Sequence, residues 1–220
     1  IAWFALPLGG MLGAGLSVAL VYLLAGSRSS LYSLILAGMA VNAFVGALIS
    51  LVLNVASNPF AMSEIVYWLL GSFANRSLQD VAIAAPFMLL GSGLVLSAGR
   101  YLDALSLGED TATTLGFDPL RWRWLVVGGV ACAVGAAVSV SGNIGFVGLV
   151  VPHLLRPLVG HEPRRLLWVS ALGGAILVLL ADMVVQAVSG RVELKVGVIT
   201  ALMGGPFFLY LILRTRSTDW

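Results

Sequence analysis

The sequence predicts an all-α fold: a polytopic membrane bundle of about seven transmembrane helices with short surface helices at both faces. Three observations predict it. The 220 residues are 60% hydrophobic and 10% charged, with a mean hydropathy of +1.02. A soluble domain carries about 25% charged residues, so this chain lacks the polar groups to cover a surface in water. The apolar residues fall into seven runs, at about 3–25, 31–56, 80–99, 122–141, 144–160, 166–188 and 196–213. Between them, the polar intervals 57–79 and 101–120 carry helix start and stop signals instead of linker composition. Residues 1–220 therefore read as one transmembrane domain, with 57–79 an outer surface segment and 101–120 an inner loop.

Crossing ~30 Å of hydrocarbon takes about 20 helical residues, and most runs meet that. After the first two spans, Asn58-Pro59 reads as a turn. Ser63-Glu64 reads as the cap of a short helix through Leu70, ended by Gly71. Tyr67 and Trp68 suit a membrane–water interface, so this helix is expected to lie flat on it. The third span leads into Arg100–Arg123, the longest polar interval. It holds four of the ten acidic residues (Asp103, Glu109, Asp110, Asp118) and three of the twelve basic ones (Arg100, Arg121, Arg123). Ser106 and Glu109 have capping-box spacing. Thr111–Leu115 can continue as a short helix, Gly116 can end it in the left-handed conformation, and Asp118-Pro119 signals a new start. The apolar residues Leu105, Leu107, Ala112, Leu115 and Phe117 then need a surface to pack on: the ends of their own spans, or a soluble partner.

The fifth run is too short for a full span. From Ile144 to Arg156 is 12 steps, roughly 18 Å at 1.5 Å per residue, and Pro152 and Pro157 interrupt the amide ladder. A short helix is expected, entered by a loop at Ser139–Gly145 that dips below the outer surface, where protein or a water-filled cavity must cover it. Twenty-six glycines suit close helix packing in a bilayer.

Lys and Arg set the orientation. With the Arg100–Arg123 loop inside, the inner set is Arg28, Arg100, Arg121, Arg123, Arg156, Arg164, Arg165, Arg214 and Arg216, and the outer set is Arg76, Arg191 and Lys195. Nine against three places the C-terminus in the cytoplasm, and seven spans place the N-terminus outside. An outside start, with Ile1 first and no charge before Arg28, is expected of a chain whose upstream spans are absent.

Little in the sequence points to chemistry. Asp182 is the one acidic residue well inside a span, which makes a coupled carboxylate of a secondary transporter one reading. It lies six residues below Val188, about 9 Å from the outer end, and a hydrogen-bonded structural role at the rim is the other. His153 raises an intramembrane enzyme or, with His161, a metal site. No ligand-spaced Cys/His/Asp cluster supports the metal, and bonding to backbone freed by the two prolines is the simpler expectation. Cys132 is the single cysteine, so no intrachain disulfide forms. A net charge of +2 gives no footprint for nucleic acid. No phosphate-binding P-loop pattern occurs, so any pump must take its nucleotide chemistry from another subunit.

Four segments resemble the FecCD-type permeases, the membrane subunits of ABC importers for iron-siderophores, haem and cobalamin. They are LILAGMAVNAFVGALISLVL (34–53), YWLLGSF (67–73), LSLGEDTATTLG (105–116), and the long run from GNIGFVGLVVPHLLRPLVG (142–160) through LLADMV (179–184) to VGVITALMGGPFFLYLILR (196–214). The chain reads as the fourth to tenth spans of that family. The resemblance implies a multi-pass protein of the bacterial inner membrane, paired with a second permease as a homodimer or pseudo-dimer. It implies cytoplasmic ATP-binding subunits that hold the ATP and Mg, a periplasmic substrate-binding protein, and no cofactor on this chain. Alternating access would run along 31–56 and 196–213, with Asn42, Ser50, Ser57, Thr200 and Met203 as lining candidates. The coupling loop would use Leu107, Gly108, Glu109, Ala112, Leu115, Gly116 and Phe117. Arg76, Arg191 and Lys195 would dock the binding protein, and Gly145, Gly148, Pro152, His153, Asp182 and Pro206 would be structural. Two positions depart from the family pattern: Lys195 stands where Pro is common, and Gln186 where a basic residue is frequent four after the Asp.

Overall fold

The computed structural model describes residues 2–26, 31–188 and 194–216. Its elements in chain order are α1 (Ala2–Ala25), α2 (Leu31–Val55), α3 (Pro59–Leu70), α4 (Leu78–Ser97), α5 (Gly99–Leu105), α6 (Glu109–Thr114), α7 (Pro119–Ser141), α8 (Val147–Leu155), a 3-10 turn (Arg156–Val159), α9 (Pro163–Val188) and α10 (Val196–Arg216). Every regular element among the described residues is a helix, as the sequence predicted. Four helices among them are long and apolar enough to cross a membrane: Tyr32–Val55, Leu78–Leu105, Pro119–Ser141 and Pro163–Val188.

α7 is the central element, with α1 and α4 packed on it. Small residues let the backbones approach. A Cβ on Gly91 would lie 2.5 Å from the Gly129 carbonyl of α7, and one on Gly129 would lie 2.9 Å from the Gly91 carbonyl. In lipid, where no hydrophobic force separates helices from solvent, such contact supplies the packing energy. α8, α9 and α10 form a second group beside it.

Several boundaries differ from the sequence reading. α3 begins at Pro59, not at Ser63: Asn58 is its cap, its side chain accepting from the Phe60 amide at 3.0 Å, and Ser63 lies inside the helix with its hydroxyl donating to the Phe60 carbonyl. Gly71 ends it, as read. Ser106 caps nothing at α6. It closes α5, its hydroxyl donating to the Asp103 carbonyl at 2.6 Å, and the cap position of α6 is Gly108, which has no side-chain bond to give. Among the described residues a capping box forms at Ser77 and Asp80, at the start of α4. α7 continues through Ser139–Ser141, whose hydroxyls at 139 and 141 bond carbonyls of their own helix, so the loop is 142–146 instead of 139–145.

Candidate functional site

Two ends of the molecule carry the polar architecture, and each has its own small core. At one end, the segment from α5 to the start of α7 folds as a unit. Asp118 caps α7, accepting from Leu120 and Arg121, with Pro119 in the first turn as its spacing predicted. Gly116 takes φ +88° after α6, also as predicted. Tyr101, Ala104 and Ala112 are buried together, with Leu102, Phe117 and Trp122 packed against them. The Tyr101 and Trp122 rings stack at 5.8 Å, and Phe117 lies 5.9 Å from the first and 5.8 Å from the second. Glu109 reaches back to Arg123 at 3.6 Å.

This core divides the seven coupling candidates. Ala112 is fully buried and Phe117 faces inward, so both serve the segment's own packing. Leu107 and Leu115 point outward, 70% and 60% exposed, and Leu120, at the start of α7, is 59% exposed. Some of the loop's apolar residues thus rest on their own span, as one expectation had it, and others are left exposed.

At the other end, three helix termini meet through backbone. The Ser72 amide donates to the Ser141 carbonyl at 2.7 Å, Asn143 to Trp68 at 2.8 Å, and Gly197 to Gly71 at 3.3 Å. Gly142 takes φ +71°, and a Cβ there would fall 2.7 Å from the Trp68 carbonyl. A Cβ on Gly197 would collide with the Leu70 carbonyl. Ala181, Val185 and Val196 form the core beneath, with Ile144, Leu194 and Ile199 against it.

Two docking candidates gather over this knot. The Arg76 guanidinium lies 5.4 Å from the Tyr67 ring and 5.1 Å from Trp68, and the Lys195 ammonium lies 4.8 Å from Tyr67. Sequence reasoning put the rings at an interface and the cations on an outer face. It had no signal that they share one site. Arg191 lies outside the described residues, as do Arg28 and the C-terminal 217–220.

The loop descends from this knot. Asn143 is level with Leu70 and Gly197, while Phe146 packs on Gly204 of α10, about 10 Å further along that helix at 1.5 Å per residue. The loop therefore enters a short α8 well along α10 from the knot. Pro152 sits within α8, and the His153 ring lies edge-on to Phe207 at 6.2 Å, not on freed backbone. Gly145 and Gly148 have no close neighbour for a Cβ to meet, and Pro206 sits inside α10. Asp182 accepts a 2.6 Å hydrogen bond from Gln186, one turn on. Gln186 thus occupies the place of the family's basic residue with a neutral donor.

The lining candidates do not converge on one cavity. Asn42 faces a cleft of about 470 Å3 between α1, α2 and α7. The Ser50 hydroxyl is turned back to the Gly46 carbonyl, Ser57 is exposed between α2 and α3, and Met203 is 53% exposed. Thr200 is buried, its hydroxyl on the Gly197 carbonyl, and contributes no open surface within this chain. Among the described residues no three His, Cys, Asp or Glu side chains converge.

Similarity to known proteins agrees with this arrangement. A solved chain described as a metal-chelate type ABC transporter in an inward-facing conformation superposes with a TM-score of 0.79 at 35% identity, over 96% of this chain and 73% of that one. The Fe(3+)-citrate import system permease YfmD of Bacillus subtilis is 38% identical over 93% of this chain and 61% of its own length. The vitamin B12 import permease BtuC of Vibrio cholerae is 38% identical over 94% of this chain and 62% of its own length. The chain thus spans about three-fifths of the curated relatives it matches. The FecCD transport family matches residues 1–214, and the chain belongs to that family.

Proposed function

We propose that the chain is the membrane-spanning part of an ABC-importer permease that moves an iron-siderophore complex by alternating access, driven by ATP hydrolysis in a separate subunit. The observation that carries this reading is the α5–α7 segment. It is a folded unit with its own aromatic core, and it leaves Leu107, Leu115 and Leu120 uncovered on a chain with no phosphate-binding loop. Those leucines are the docking surface for the ATPase, which makes 101–120 the coupling loop. α1, α8 and α10 complete seven spans with the four long helices. The basic side chains at 100, 121, 123, 156, 164 and 165 mark the cytoplasmic end, and Arg76 and Lys195, on the periplasmic segment 57–79 and beside it, receive the binding protein. α2 and α10 line the pathway against a second permease.

A second substrate class has a specific observation behind it: identity is 38% to an iron-citrate permease and 38% to a vitamin B12 permease. Both substrates are bulky chelates, and identity does not separate them. The test is uptake by the full-length permease reconstituted with its ATPase and binding protein in liposomes. Labelled ferric siderophore should enter with ATP, and collapse of the proton gradient should leave uptake unchanged. Cobalamin uptake in its place moves the substrate to the second reading. Uptake that follows the proton gradient and ignores ATP overturns the proposal in favour of a secondary transporter using Asp182.

A further inference from the structure

Among the described residues, a side-chain hydrogen bond joins the inner segment to α9. Asp103, half-buried on α5, accepts a 2.9 Å hydrogen bond at Oδ1 from the backbone amide of Arg164, in the first turn of α9. First-turn amides have no partner inside their own helix, and a carboxylate there also meets the positive end of the helix dipole. The cap here comes from a different element, far away in sequence. The approach that allows it is close: a Cβ on Gly99, one turn before Asp103, would lie 2.8 Å from Arg164 Cγ. α9 then runs the length of the bundle. It packs on α8 along Gly173, where a Cβ would meet Leu155 and Val151. It ends in the outer core through Ala181 and Val185, against Val196 of α10.

We propose that Asp103 is a positioning residue of the transport cycle: it binds α5 to the start of α9, so that displacement of the inner segment by a partner moves α9, and through it α8 and α10, as one body. This inference rests on the importer reading above. Among the described residues no second hydrogen bond or ion pair is seen between α5 and α9, and packing alone is non-directional and lets one element slide past the other. With the Asp103 tie, α5 cannot shift along α9 without opening a charge-assisted hydrogen bond.

The experiment compares Asp103→Ala and Asp103→Asn in the full-length permease, assembled with its ATPase and binding protein in liposomes. Asn keeps the acceptor oxygen, whereas Ala removes it. In Asp103→Ala the complex should assemble and hydrolyse ATP, but substrate moved per ATP hydrolysed should fall by about fivefold, the factor to which losing a helix cap of ordinary strength corresponds. The Arg164 amide should exchange with deuterium faster by a similar factor. Asp103→Asn should stay within twofold of wild type in both. An unchanged transport-to-hydrolysis ratio in Asp103→Ala overturns the tie, as does a loss in Asp103→Asn as large as in Asp103→Ala. Absence of ATP-driven transport in the wild-type complex would instead overturn the importer reading itself, and the exchange rate of Arg164 still tests the contact.

Discussion

Gly204 and Phe146 show how single residues join two distant strings of this sequence. Phe146 has φ +68° and ψ −24°, a left-handed conformation that a residue with a bulky side chain rarely adopts. Its ring rests where Gly204 has only hydrogen, since a Cβ at 204 would fall on Phe146 Cβ and Cγ. The GFVG and GGPF strings are therefore two halves of one contact. A Gly204→Ala substitution overpacks it and should destabilise by about 1–3 kcal/mol. In a Phe146→Gly background, where neither Cβ nor ring remains, the added methyl has room, so the two changes should couple by about 1 kcal/mol or more. Thermal melting of the detergent-solubilised full-length chain measures this, and strict additivity would refute the contact. Asp182 works at the same scale, held by the Gln186 side chain one turn on.

Among the elements, what the sequence made legible was local. Asp118-Pro119, Gly116 and Gly71 act through their own φ/ψ or their own amide neighbours, so their positions alone predict the α7 start and the α6 and α3 stops. Asn58-Pro59 carries the same signature as Asp118-Pro119 and starts a helix for the same reason, though it reads equally as a turn. Ser106 failed because a serine can bond backward to a carbonyl three residues earlier as readily as forward, and α5 was there to receive it. Ser77-Leu78-Gln79-Asp80 held the real capping box in plain view before an apolar run. Nothing local could reveal the Asp103–Arg164 tie or the backbone knot of residues 71, 72, 141, 143 and 197, because these are contacts between elements. The same limit split the coupling loop: the spacing showed that Phe117 and Leu115 were apolar, but only packing against Tyr101 and Trp122 turned the first inward. Phe117→Ala should therefore loosen the segment itself, by about 2 kcal/mol, less than the roughly 3–5 of a fully buried Phe. Limited proteolysis should cut faster within 106–116 while the long helices stay protected. An unchanged cutting rate would show that the aromatic cluster does not hold the segment.

The molecule as a whole exposes 14,738 Å2, against about 9,600 Å2 expected for a compact monomer of its mass by area scaling. Much of the excess is Leu, Val, Ile, Met and Phe on α1, α2, α4, α9 and α10. Lipid covers such surface, so the large exposure fits a multi-pass membrane protein. Leu107 and Leu115 are exposed in a segment that also carries the exposed charged residues Glu109, Asp110 and Arg121. Under the proposed function that surface meets the ATPase, and the full-length permease tests it through its affinity for that subunit. Leu115→Asp should insert normally, keep its binding-protein affinity, and lose ATPase affinity by at least about 30-fold, the equivalent of truncating one anchor of ~2 kcal/mol. Wild-type ATPase affinity and substrate-stimulated hydrolysis in Leu115→Asp would contradict the account.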